Sequence, residues 1–226
     1  MSSTGRAGTE SIFIAGAAGR IETVIDFPAV DTASADADAA PPRGLALVAH
    51  PHPLYGGALD NKVAQTLART FAELGYVALR PNFRGVGQSE GAHDQGIGEC
   101  DDMIAVVTHA RARFGAIPVV LAGFSFGAFV QTRVARRLVD DQTPAERLVL
   151  VALAVGRVSA DRSYETGTVP ANTILIHGDR DETVPLANVL AWAEGQELPV
   201  SVVPGADHFF HRKLNAIRFI IKGQWH

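Results

Sequence analysis

Residues 119–128 read Val119-Val120-Leu121-Ala122-Gly123-Phe124-Ser125-Phe126-Gly127-Ala128, and this stretch decides the fold. The apolar run over 117–122 predicts a strand buried on both faces, and a helical pattern begins within a residue or two of Ser125. Between them lies G-x-S-x-G, the pattern of a sharp strand-to-helix turn that lifts a serine hydroxyl to the end of a sheet. Such a turn strains the serine backbone, and a side chain at Gly123 or Gly127 would collide with neighbouring main chain. The following helix would aim its free amides at the serine, a ready place for an oxyanion. The same letters also fit a Gly-rich β–α turn around an idle serine, so residues elsewhere must decide.

The chain has 226 residues, enough for one domain with a substantial core. Its composition, 47% hydrophobic and 19% charged, is that of a globular protein. A net charge of -4 argues against nucleic acid as a partner, because phosphate binding needs concentrated Lys and Arg. Arg133, Arg136 and Arg137 fit the solvated face of one helix. The lone Cys100 excludes an intrachain disulfide and a cysteine metal site. The first ten residues are small and polar and carry no signal-peptide pattern. No apolar run approaches the roughly 18 residues that would span a membrane. A cytoplasmic location is expected.

Strands are expected at 12–15 and 20–27 around Gly16-Ala17-Ala18-Gly19, a hairpin whose second strand alternates as a sheet edge should. Residues 28–43, rich in Ala, Asp and Pro, predict a flexible surface loop within a single domain, 1–226. Further strands are expected at 44–49, 76–80, 147–153, 173–177 and 200–203. Helices are expected at 59–74, 100–114, from Ser125 to 139, and at 186–194 and 210–221, with 154–170 irregular. Strands alternating with helices imply right-handed crossovers and a mainly parallel central sheet with helices on both faces.

A serine hydroxyl is a weak nucleophile until a base takes its proton, and that base must itself be oriented. The elbow therefore demands an Asp or Glu after a later strand and a His after that. Ile174-Leu175-Ile176-His177-Gly178-Asp179-Arg180-Asp181 is a strand opening into an acidic loop, with Asp179 and Asp181 as candidates. Val202-Val203-Pro204-Gly205-Ala206-Asp207-His208 is a strand opening into a histidine loop, with His208 and His211 as candidates. Singly, these residues would read as turn formers and an exposed histidine. Their order is what raises them to a catalytic set.

With these residues in view, the chain over 45–210 resembles a small bacterial serine α/β-hydrolase. The match is to the branch without a cap domain, close to dienelactone-hydrolase-like and carboxylesterase-like members that carry the H-P-H-P-x-x-G-G loop, here His50 to Gly57. The resemblance implies Ser125 as nucleophile, Asp181 rather than Asp179 as the acid, and His208 as the base. The first oxyanion donor is then the Phe126 amide. The second must be a backbone N–H in the 50–57 loop, which excludes Pro51 and Pro53 and leaves His52, Leu54 and Tyr55, with Leu54 or Tyr55 favoured. His50 is expected to brace that loop, and His50 with His52 lacks the third ligand a metal would need. Asn82 to Ser89 resembles the D-x-R-G-x-G-x-S loop of such enzymes, with asparagine in first place and Arg84 tying loops together.

The substrate side is expected to be lined by Phe124, Phe126, Leu54, Tyr55 and His52, in an open site, because 154–169 is too short for a helical cap. These features predict a cofactor-free serine hydrolase acting on small or accessible carboxylic esters through an acyl-enzyme. An acyl thioester is the second expectation. A peptidase is expected less, for want of a cap or propeller, and a non-catalytic binding protein least, since the serine, acid and histidine are all present.

Overall fold

The computed structural model describes residues 8–28 and 41–225, so most of the loop expected at 28–43 lies outside the described residues. The chain opens with the hairpin β1 (Thr9–Gly16) and β2 (Gly19–Asp26), followed by β3 (Gly44–Ala49), helix α1 (Lys62–Glu73) and β4 (Tyr76–Pro81). Next come α2 (Ile97–Phe114), β5 (Val119–Phe124), α3 (Phe126–Asp140) and β6 (Arg147–Val151). A small ribbon, β7 (Gly156–Arg157) with β8 (Ser163–Tyr164), precedes β9 (Ile174–Gly178), α4 (Leu186–Glu194), β10 (Val200–Val203) and α5 (Leu214–Gln224). Among the described residues one eight-stranded sheet runs in the order β1-β2-β4-β3-β5-β6-β9-β10. From β4 to β10 every pairing in it is parallel, and β1 and β2 are antiparallel. This is the α/β-hydrolase fold, and the described residues form no cap domain.

The apolar runs of β3, β5 and β6 divide between two layers because alternate residues face opposite ways. Leu45, Leu47, Val119, Leu121, Leu148 and Leu150 pack with Met103 and Val106 of α2 and Phe129 and Val134 of α3. Ala46, Val48, Val120, Ala122, Phe124 and Val149 pack instead with Leu67 and Phe71 of α1 and Ile217 and Ile221 of α5. Burial on both faces is why these strands lack polar alternation.

Three expectations are corrected here. β2 is not the sheet edge, because β1 covers its outer side and β4 its inner side. Its alternation instead reports one buried and one half-exposed face. Helix α2 begins at Ile97, three residues early, because the Glu99 carboxylate accepts from Gly96 N at 2.8 Å and Asp94 N at 2.9 Å and caps the end. Helix α5 begins at Leu214, since Phe210 (φ 53°) and Arg212 (φ 59°) sit in the left-handed region and cannot continue a helix. No described helix is long and apolar enough to cross a membrane.

Candidate active site

Ser125 joins β5 to α3 with φ 56° and ψ −118°, a conformation a non-glycine residue holds only if the surroundings impose it. They do. Its N–H donates to Val151 O of β6 at 2.9 Å, and its carbonyl accepts from Phe129 N at 3.2 Å and Ala154 N at 3.3 Å. The flanking glycines have steric causes. A Cβ on Gly123 would strike the Gly127 carbonyl, and one on Gly127 would strike the Ala49 and His50 carbonyls at the end of β3. The first turn of α3 therefore lies directly against the loop that follows β3.

Ser125, Asp181 and His208 come together from three separate strand ends, all nearly buried. His208 Nε2 is 3.0 Å from Ser125 Oγ, and His208 Nδ1 is 2.7 Å from Asp181 Oδ2. With Nδ1–H donating to the carboxylate, Nε2 is left with its lone pair facing the hydroxyl. The other carboxylate oxygen, Oδ1, accepts from Thr183 N at 2.9 Å and Val184 N at 2.7 Å. Such an array can draw the hydroxyl proton, steady the imidazolium that results, and return the proton to a leaving group. Asp179 stands apart from it, accepting from Gly205 N at 2.5 Å and so joining the β9 and β10 loops. His211 is exposed and paired with Asp207 at 2.6 Å.

Sequence reasoning gave His177 no role. It is fully buried, with Nε2 3.0 Å from Val184 O and 3.5 Å from Asp181 Oδ2. Burial holds its pKa below the ordinary histidine value, with the Asp181 charge opposing, and its Nδ1 has no partner among the described residues. Its place in H-G-D-x-D, one residue before the strand end, was the available signal.

The loop after β3 forms a short 3-10 turn, Pro53–Tyr55. His50 is buried; its Nδ1 bonds Pro51 O at 2.7 Å, and its Nε2 accepts from Phe83 N at 2.9 Å. Both ring nitrogens are thereby taken up by backbone, which fixes the neutral tautomer, and burial lowers its pKa to about 4. No group of three or more His, Cys, Asp or Glu is placed to hold a metal among the described residues. The preferred oxyanion donors need correcting. Leu54 N donates to His52 Nδ1 at 3.3 Å and Tyr55 N to His52 O at 3.1 Å, so both amides are consumed inside the turn. Of the three candidates, the amide of His52 remains without a partner among the described residues, and its ring lies 4.7 Å from the Phe126 ring.

The loop after β4 is stitched to its surroundings. Arg84 grips Asp102 of α2 with two bonds, 2.8 and 2.9 Å, joining loop to helix. Asn82 accepts from Leu59 N at 2.8 Å and donates to Glu22 Oε2 at 2.8 Å. An aspartate there would face a second carboxylate, which accounts for the asparagine.

A cavity of about 500 Å³ opens beside this machinery, lined by His52, Leu54, Tyr55 and Phe126 among others. Phe124, expected on the substrate side, does not line it. As a β5 residue it faces the α1–α5 layer, fully buried, with its ring 5.0 Å behind that of His208. His93, Arg162 and Tyr164 also line the cavity and went unassigned in the sequence, because a loop, a turn and a short ribbon share no pattern; Arg133, expected on a solvated helix face with Arg136 and Arg137, is instead half-buried, lines the cavity and stacks on Phe129.

Fold and site together define a serine α/β-hydrolase. The family model described as serine aminopeptidase, S33, matches residues 42–167, more than half of the chain, and the chain belongs to that family. A Xanthomonas campestris α/β serine hydrolase described as lacking a lid superposes with TM-score 0.79 at 35% identity, covering 98% of this chain and 95% of that one. An uncharacterized protein of Rickettsia prowazekii is 32% identical over 181 residues, 76% of this chain and 74% of its own length. The lysophosphatidylserine lipase ABHD12 of Gallus gallus is 35% identical over 91 residues; that segment is 40% of this chain and 23% of the lipase.

Proposed function

We propose that the protein hydrolyses carboxylic esters of small or accessible molecules through an acyl-enzyme on Ser125. The observation that carries this reading is the hydrogen-bonded run from Asp181 through His208 to Ser125. His208 takes the Ser125 proton as the oxygen attacks the carbonyl carbon. Asp181 holds the imidazole in the required tautomer and stabilises its charge. The tetrahedral oxyanion is held by the amides of Phe126 and His52, a contribution of several kcal/mol per donor. His208 then protonates the leaving alcohol, and water, activated by the same imidazole, releases the acid. No step calls for a cofactor.

The second reading is an acyl thioester substrate for the same residues. The described stretch 154–169 forms only the β7–β8 ribbon and no cap, which supports accessible substrates over long chains in a closed tunnel. The test is hydrolysis of p-nitrophenyl acetate, butyrate and octanoate, and of acetyl- and butyryl-CoA, by wild type and Ser125→Ala. Ser125-dependent ester cleavage that weakens with chain length is expected. Cleavage of the CoA thioesters alone selects the second reading, and no Ser125-dependent turnover on any of them overturns both.

A further inference from the structure

The cavity beside Ser125 holds two guanidinium groups that the hydrolytic chemistry does not use. Arg133 of α3 and Arg162, in the turn between β7 and β8, both line it, and both are half-buried. Among the described residues neither guanidinium has a carboxylate oxygen within 4.0 Å. Arg80, Arg84 and Arg113 of the same chain have one at 2.7, 2.8 and 2.7 Å. Each of the two instead stacks on an aromatic ring, Arg162 at 4.3 Å over Tyr55 and Arg133 at 4.7 Å over Phe129. A stacked guanidinium is held in place by its face and keeps its planar fork of donors free at the edge. Arg162 spends one donor on Ser159 Oγ at 3.1 Å.

Other groups around the cavity bear on the field of these two guanidiniums. His93 also lines it, with its Nδ1 2.8 Å from the buried carboxylate of Glu99. His52 next to it has a pKa lowered to about 4, first by burial and then by the positive charges of His93 and Arg162, against an opposing pull from Glu99. Two rim carboxylates oppose this field from the solvent side, and the Asp161 pKa is held down first by the Ser159 hydrogen bond, with the charge of Arg162 among the further causes. Asp161 is exposed and bonded to Ser159 Oγ at 2.8 Å, and Glu165 is exposed. Charges in water are screened far more than half-buried ones.

We propose that this cavity recognises an anionic group, a carboxylate or a phosphate, borne by the acyl or alcohol part of the ester. Both anions match the guanidinium fork with paired charge-assisted hydrogen bonds. The cavity shares His52 and Phe126 with the reacting centre, so a group anchored on Arg133 and Arg162 belongs to the same small molecule as the scissile bond. This specificity rests on the ester-hydrolase reading, but it can be tested without turnover.

Calorimetric titration of Ser125→Ala would compare two matched pairs. p-Nitrophenyl hydrogen glutarate is set against p-nitrophenyl hexanoate, and butyryl glycerol phosphate against monobutyrin. The anionic member of at least one pair should bind about tenfold or more tightly than its neutral match, and which pair responds separates carboxylate from phosphate. The preference should shrink as salt is raised, and Arg162→Met and Arg133→Met should each remove most of it. Salt dependence keeps the test decisive should a variant fail to fold. Equal affinity within both pairs, or a preference indifferent to salt and to both arginines, overturns the proposal. Preferential binding without hydrolysis by the wild type counts against the ester-hydrolase reading alone. Ester hydrolysis with equal binding counts against the anion subsite alone.

Discussion

The peptide unit of Val184 is held at both ends: its N–H by Asp181 Oδ1 at 2.7 Å, its C=O by His177 Nε2 at 3.0 Å. Asp181 is thus positioned through a backbone segment that a second buried histidine keeps in place. Asp181→Asn should leave a folded protein with kcat lower by about 10⁴-fold, because the imidazole tautomer would be reversed. Steady-state kinetics beside a circular dichroism spectrum would check it, and near-normal turnover would reject the role given to Asp181. His177→Phe removes the one hydrogen-bond partner that the Val184 carbonyl has among the described residues, costing about 1–3 kcal/mol of stability. We expect it to lower kcat by about tenfold with little change in KM, and His177→Gln, which keeps a donor, to recover most of that. A loss of stability without the kcat effect would make His177 structural only. At this scale the meeting of Ser125, Asp181 and His208 was legible because each lies in the turn or loop that follows a strand end. Phe124 was not, because its side followed from the pleat of β5, and the oxyanion loop was not, because which amides the turn consumes depends on φ and ψ.

Among the elements, the junction of α3 with the end of β3 is the tightest. Gly127 stands where a methyl group would meet the Ala49 and His50 carbonyls, which are main chain and cannot rotate away. Gly127→Ala should therefore destabilise by about 3 kcal/mol or more and displace Ser125, read as a lowered urea midpoint with lost activity. The β4 loop gives a gentler test. Asn82→Asp exchanges the Nδ2 donor for a carboxylate facing Glu22 Oε2, which already accepts from Asn82 at 2.8 Å and Gln88 N at 2.7 Å. A loss of about 2 kcal/mol is expected, largely recovered by adding Glu22→Gln, and additive losses in that double-mutant cycle would refute the explanation. The strands β3, β4 and β5 were readable because burial on both faces leaves continuous apolar runs. The starts of α2 and α5 were not. One depends on Glu99 folding back to cap Gly96, the other on two left-handed residues that no periodicity announces.

For the molecule as a whole, the buried histidines tie stability to pH. His50 lies between the β3 loop and the β4 loop, with Nδ1–H given to Pro51 O and Nε2 accepting from Phe83 N, so the folded protein has no room for its proton. Its folded pKa is about 4 against 6.5 in an unfolded chain. Above pH 6.5 both states are neutral and His50 contributes no pH dependence. As pH falls below 6.5 the unfolded chain binds a proton that the folded one refuses, and stability drops until pH nears 4, by about 3 kcal/mol in all. His52, also lowered to about 4, and His177, lowered by burial, act in the same direction. Surface carboxylates such as Glu10, lowered by its hydrogen bond from Arg113, and Asp207, lowered by its bond with His211, add their losses only at more acid pH. Urea unfolding at pH 7.5, 6 and 4.5 should therefore show a midpoint that declines steeply across the histidine window, well before the carboxylates titrate. His50→Asn should be less stable at pH 7.5 yet show a shallower decline, because one refused proton has been removed. A midpoint flat from pH 7.5 to 4.5 in the wild type would mean that the junction of these two loops opens to admit the proton. The His52 amide would then not be rigidly held over the nucleophile, and the oxyanion assignment would fall with it.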